Sequence, residues 1–140
     1  ANCRPHVPRL EGQKPREFHL KVQISKTFDF DAAHFLPTVP ADHKCRRMHG
    51  HTYRVEVVLE GDVGDDGMVC DYALIARVWA GIEGVVDHRV LNEIPGLEVP
   101  TTEVLAPWLL REFRRSLPVQ RVRVYESSST WCEVLSSEVP

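Results

Sequence analysis

The chain has 140 residues, 43% of them hydrophobic and 26% charged, which is enough apolar content for a packed core. A formal net charge of −3 argues against a general nucleic-acid binder, which is normally basic. No apolar run approaches the ~18–20 residues that cross a bilayer, so no membrane association is expected. The opening stretch, ANCRPHVPRLEGQKPREF, is polar and proline-rich and lacks the apolar segment of a signal peptide. It is expected to be a flexible extension over 1–18, ahead of a single domain over 19–140 in a cytoplasmic protein. Four scattered cysteines with no CxxC pair do not suggest a disulfide framework. Cys3 is assigned to a mobile tail, and Cys70 and Cys132 to buried apolar positions.

A first strand is predicted over about 19–30, where Leu20, Val22 and Ile24 alternate with Lys21, Gln23 and Ser25. Pro37, Pro40 and a cluster of charges mark 31–48 as a loop, with a short helical turn at Asp31–His34. A second strand follows over about 49–60, and Gly64, Asp65, Asp66 and Gly67 form a turn. Asp71 can cap a helix over about 72–84, with Leu74, Ile75, Val78, Trp79 and Ile82 on one face. Thr101 or Thr102 can cap a second helix reaching about residue 116, with Leu105, Trp108, Leu109 and Phe113 at helical spacing. Pro107 falls in its first turns, where proline is tolerated best. Alternation resumes over Val119–Tyr125 and Trp131–Leu135. The order β–β–α–α–β–β predicts an α+β fold, an antiparallel sheet with both helices on one face. Its uncovered edges call for oligomerisation.

Three histidines hold most of the chemical information. His49 and His51, at i and i+2 of a strand, point to one face roughly 6.5–7 Å apart along the backbone. With His34 they supply three nitrogens and leave a fourth tetrahedral position open, the pattern of catalytic zinc. Neutral imidazoles favour Zn2+ over magnesium or calcium. His43, in the polar loop DHKC, is a weaker third ligand.

Cys45 has two readings. As a fourth ligand it closes the site; as a free thiol beside Lys44, Arg46 and Arg47 it becomes a base or nucleophile with a lowered pKa. The same cations can hold an anion, or simply be solvated. Asp87-His88 reads locally as a polar helix end, with a functional reading in which Asp87 orients His88 as a general acid/base. Glu126, at the end of an apolar strand, either faces solvent or grips two N–H donors of a planar heterocycle. No glycine-rich nucleotide fingerprint occurs.

The segments FDFDAAHFLP, HKCRRMHGHTY, VDHRVLNEIPGLEVPTTEVLAPWL and VRVYES resemble the 6-carboxy-5,6,7,8-tetrahydropterin synthases of queuosine and 7-deazapurine biosynthesis. These are relatives of 6-pyruvoyl-tetrahydropterin synthase, and the resemblance spans about Val22 to Leu135. It implies the tunnelling fold, assembled into trimers or hexamers whose sheets form a barrel and whose active sites lie between subunits. It implies zinc on His34, His49 and His51, Cys45 as catalytic thiol, Asp87 and His88 as its acid/base partners, and Glu126 as pterin anchor. The implied reaction converts 7,8-dihydroneopterin triphosphate to 6-carboxytetrahydropterin, with acetaldehyde and triphosphate released and no nicotinamide cofactor. The sister activity stops before the carbon–carbon cleavage. A non-catalytic pterin-binding or zinc-stabilised module is the reading from another class.

Overall fold

The computed structural model describes Cys3, residues 10–14 and residues 19–140. Of the extension expected over 1–18, the remainder lies outside the described residues. Two 14-residue strands, β1 (Lys21–His34) and β2 (His49–Asp62), come first. Helices α1 (Tyr72–Val86) and α2 (Thr102–Arg114) follow, and then β3 (Val119–Ser127) and β4 (Thr130–Leu135). The sheet is fully antiparallel in the order β1-β2-β3-β4. Short 3-10 turns stand at Lys44–Arg46, Leu91–Glu93 and Ser136–Glu138.

β1 shows why one face of the sheet is buried. Phe30, Ala32 and His34 are buried while Asp29 and Asp31 between them are exposed, as a two-residue side-chain period requires. On β2 the odd positions Tyr53, Val55, Val57 and Leu59 point inward. α1 lies against β1, and α2 against β3 and β4. α1 buries Ile75, Trp79, Ile82 and Val86, a stripe at helical spacing, and its N-cap Asp71 accepts a hydrogen bond from the Ala73 N–H at 2.8 Å. α2 begins after Thr101, whose side chain makes no capping bond. Phe28 stacks on Trp79 with ring centroids 4.9 Å apart, and Trp79 on Phe113 at 6.0 Å. This stack joins β1 to both helices.

Two expectations are corrected. Asp31–His34 is neither loop nor helical turn: each residue pairs with β2, Asp31 with Thr52, Ala32 with His51, Ala33 with Gly50 and His34 with His49. No proline follows the start of β1 until Pro37, so nothing ends the strand earlier, and the partner strand begins at His49. Cys3 is buried rather than in a mobile tail and forms a disulfide with Cys70, their Cα atoms 5.3 Å apart. The pairing spans 67 residues of sequence, and connectivity of that kind cannot be read from spacing. Cys45 and Cys132 are free. Among the described residues no helix is long and apolar enough to cross a membrane.

Phe113 is fully buried and is the α2 member of the stack. Phe113→Ala is therefore expected to lower unfolding stability by about 3–5 kcal/mol, read by chemical denaturation. A loss below about 1 kcal/mol would mean that the stack does not anchor the helices.

Candidate metal centre and acid–base cleft

The cross-strand register brings the three histidines together. His34 and His49 are direct partners, and His51 lies two residues further along the same face of β2. His34 is almost fully buried, and the other two are partly so. Their ligand atoms all lie within 4.8 Å of one another, with His34 Nε2 and His49 Nε2 3.0 Å apart. Neither Cys45 nor His43 belongs to this cluster.

The hydrogen bonds fix the tautomers. His34 Nδ1 faces the Pro100 carbonyl oxygen at 2.9 Å, and His49 Nδ1 faces that of Arg47 at 2.7 Å. A carbonyl can only accept, so each Nδ1 carries the proton and donates, and each Nε2 presents a lone pair. Two lone pairs 3.0 Å apart repel unless a cation lies between them. The buried His51 Nε2 has no hydrogen-bond partner. Tetrahedral zinc with Zn–N bonds of about 2.0–2.1 Å separates its nitrogens by roughly 3.3 Å, so small side-chain rotations would complete the triad. The residues fit a metal ion.

Burial lowers the pKa of His34 and of His51; for His51 it outweighs the opposing pull of the Glu126 carboxylate. Lowered values keep the imidazoles neutral, as a metal ligand must be. Tyr53 places its hydroxyl 3.2 Å from His34 Nδ1, and burial pushes its own pKa up, so it stays protonated. Glu126 brings a carboxylate oxygen to 3.6 Å from His51 Nε2. It sits where the β3–β4 register shifts between Tyr125 and Ser127, an irregularity that re-aims a side chain.

The segment after α1 runs beside β1. Val90 makes a parallel bridge to Ala33, whose N–H donates to the Arg89 carbonyl at 2.9 Å. Asp87 caps α1 and accepts the Asp31 N–H on Oδ1 at 3.0 Å. Its other oxygen accepts His88 Nδ1–H at 2.8 Å, which leaves His88 Nε2 free to exchange a proton. The Asp31 N–H first, and then the His88 imidazole, lower the pKa of Asp87. The Asp87 hydrogen bond raises that of His88. The pair is ionised on both sides between these two values. Its stabilising contribution fades as pH falls through the lowered Asp87 value, and again as pH rises through the raised His88 value.

His51 and His88 line one cleft of about 520 Å³, together with Asp31, Thr52 and Arg89. Cys45 lies in the 3-10 turn Lys44–Arg46, partly buried. Its N–H donates to His43 Nδ1 at 3.1 Å, and its carbonyl accepts from the Leu36 N–H at 2.8 Å. His43 is thus occupied in shaping the loop. Arg46, one of the flanking cations, donates to the Val39 carbonyl. The sequence reading gave no role to Asn92, whose amide bonds both the N–H and the C=O of Phe35, at 3.0 and 2.8 Å. It also missed Tyr53 and the Pro100 carbonyl. An asparagine among turn residues was the only signal available for the first, and nothing local marks the other two.

Alanine at His34, His49 or His51 is expected to weaken metal binding by about a hundredfold or more, beyond the 10–100-fold typical of a lost outer-shell partner. Metal analysis after dialysis, with circular dichroism to check folding, reads this out. Full metal retention in folded His49→Ala would refute the three-histidine centre.

A profile of the 6-pyruvoyl tetrahydropterin synthase family matches residues 23–137. A putative 6-carboxy-5,6,7,8-tetrahydropterin synthase of Archaeoglobus fulgidus is 37% identical over 112 residues, covering 79% of this chain and 93% of the relative. The dihydroneopterin monophosphate aldolase of Pyrococcus furiosus is 33% identical over 119 residues, covering 82% and 98%. The 6-carboxy-5,6,7,8-tetrahydropterin synthase of Bacillus subtilis is 30% identical over 137 residues, covering 93% and 85%. The solved 6-pyruvoyl tetrahydropterin synthase of Caenorhabditis elegans superposes with a TM-score of 0.79 at 24% identity, covering 86% of this chain and 99% of that one, and shows the same fold. On this match, and on the long antiparallel β1–β2 pair that carries its histidines, the chain belongs to the 6-pyruvoyl tetrahydropterin synthase family.

Proposed function

We propose that the protein is a zinc-dependent 6-carboxy-5,6,7,8-tetrahydropterin synthase. It takes 7,8-dihydroneopterin triphosphate and water to 6-carboxytetrahydropterin, acetaldehyde and triphosphate, for queuosine or 7-deazapurine biosynthesis. The observation that carries the reading is one cleft lined both by His51 of the three-histidine cluster and by His88, whose ring Asp87 holds. Relatives named for this activity at 30–37% identity agree with it.

Zinc held by His34, His49 and His51 supplies Lewis acidity at the hydroxylated side chain of the substrate, making its C–H protons easier to remove. Every other role falls to the chain itself. His88 exchanges a proton at Nε2 while Asp87 holds Nδ1–H and so fixes the tautomer. Cys45 is the second proton-transfer group, a free thiol on a loop tied down at Leu36 and His43. Glu126 accepts the paired N–H donors of the pterin ring, a bidentate contact. The assembly is a homo-trimer or homo-hexamer with sites between subunits. Among the described residues β1 and β4, the outer strands of the sheet, are each paired by a strand on one side only, and Trp131 and Leu135 on β4 are exposed.

A specific observation favours a second reading. The Pyrococcus furiosus aldolase matches most of this chain, so cleavage of a dihydroneopterin monophosphate is the competing reaction. Incubation of the zinc-loaded protein with each substrate, followed by mass spectrometry and an aldehyde assay, separates them. The carboxypterin with acetaldehyde and free triphosphate is expected. Turnover of the monophosphate alone would assign the aldolase, and a 6-pyruvoyl product without acetaldehyde the sister synthase. Cys45→Ala should lower kcat by about a hundredfold or more, within the 10²–10⁴ range of general acid–base catalysis, while keeping its zinc. Sedimentation should give the mass of three or six chains; a monomer that turns over would overturn the shared-site assembly.

A further inference from the structure

Two residues beside the acid–base pair have no part in the reaction as described. Asp31 on β1 and Thr52 on β2 are opposite one another in the register, and both line the cleft of His51 and His88. The Thr52 hydroxyl donates to Asp31 Oδ1 at 2.5 Å. Asp31 grips the pair through its backbone as well. Its N–H donates to Asp87 Oδ1 at 3.0 Å, and its carbonyl accepts the His88 N–H at 2.7 Å. His88 is the one non-glycine residue with positive φ among the described residues, at 54°. A non-glycine side chain stays in that region only where its surroundings over-determine it. The bonds to Asp31, and the Ala33 N–H on the Arg89 carbonyl, do so. Thr52 follows His51 directly, so a short path joins the strand of His49 and His51 to the His88 imidazole.

We propose that Asp31 and Thr52 are positioning residues for His88: Thr52 pins the Asp31 carboxylate, which stands as a second negative group beside the imidazole. This rests on the reading of Asp87–His88 as the acid–base pair. Asp87 makes the larger contribution to the charge state of His88, and Asp31 adds to it in the same direction. Desolvation opposes both, and Arg89 and His51 line the same cleft as His88.

Two variants separate the pin from the charge. Asp31→Asn keeps an acceptor for Thr52 and both backbone bonds but removes the negative group. Thr52→Val keeps the charge and removes the pin. In the metal-loaded full chain, NMR titration of the His88 ring should give a wild-type midpoint above the ordinary value of about 6.5. That midpoint should fall in Asp31→Asn and change less in Thr52→Val. In both variants kcat should drop about tenfold, since small misplacements of a reacting group are costly, with KM and metal content within about twofold of wild type. An unmoved midpoint in Asp31→Asn, unchanged kcat in both variants, or a kcat loss in Thr52→Val that merely tracks lost metal would each overturn the proposal. The titration needs no substrate. A wild-type protein that fails to turn over the triphosphate, yet shows the midpoint shift, overturns the reaction assignment and leaves the positioning role supported.

Discussion

The pairing of β1 with β2 is the constraint on which the rest of the site depends. His34 stands directly across from His49, and Ala32 from His51. In a strand a slip of one residue sends every side chain to the opposite face. Such a slip would turn one strand's histidines away from the other's and expose the Phe30 and Tyr53 rings that stack at 5.0 Å beneath them. The apolar pattern that buries one face of β1 and β2 thereby also sets the geometry of the histidine cluster. The free edge of β1 does a second job at the same height. Asp31 and Ala33 receive the segment Asp87–Val90, so four consecutive residues meet the histidine cluster on one side and the Asp87–His88 pair on the other.

The histidine cluster and the Asp87–His88 pair sit in opposite electrostatic environments. The histidine cluster caps the buried apolar layer, where desolvation disfavours charge on His34 and His51. Asp87 and His88 lie toward solvent, where each stabilises the other's charged form. Nitrogen lone pairs and an ionised pair are thus available at one pH, set by burial rather than by residue type. The groups that orient the His34 and His49 imidazoles come from irregular segments, the Pro100 and Arg47 carbonyls. This suits a rigid sheet that supplies the donors and loops that adjust their aim.

Much of this was legible in the residues. The β–β–α–α–β–β order, both helices and the HGH spacing follow from local periodicity and from the i, i+2 rule for strands. The reading failed where local signals were weak or absent. Asp31–His34 contains two alanines and two polar residues, which carry little strand propensity, and only pairing with His49–Thr52 makes it a strand. Cys3 met Cys70 across 67 residues with no pattern to announce it. The Thr52–Asp31 contact exists only in one register and is invisible in one dimension.

Local pattern along the chain settled the type of fold, the grouping of the candidate histidines and the presence of an acid–imidazole pair, because each follows from neighbouring residues or from a period along one element. The tertiary structure alone decided that His34 faces His49, that Cys45 stands outside the donor cluster, and that Asp87 is tied to β1 by the Asp31 N–H. Those facts depend on which backbone groups meet across the sheet and on which nitrogens the carbonyls of Pro100 and Arg47 engage. Long-range hydrogen bonding settles such matters, and it leaves no trace in the spacing of residues along the chain.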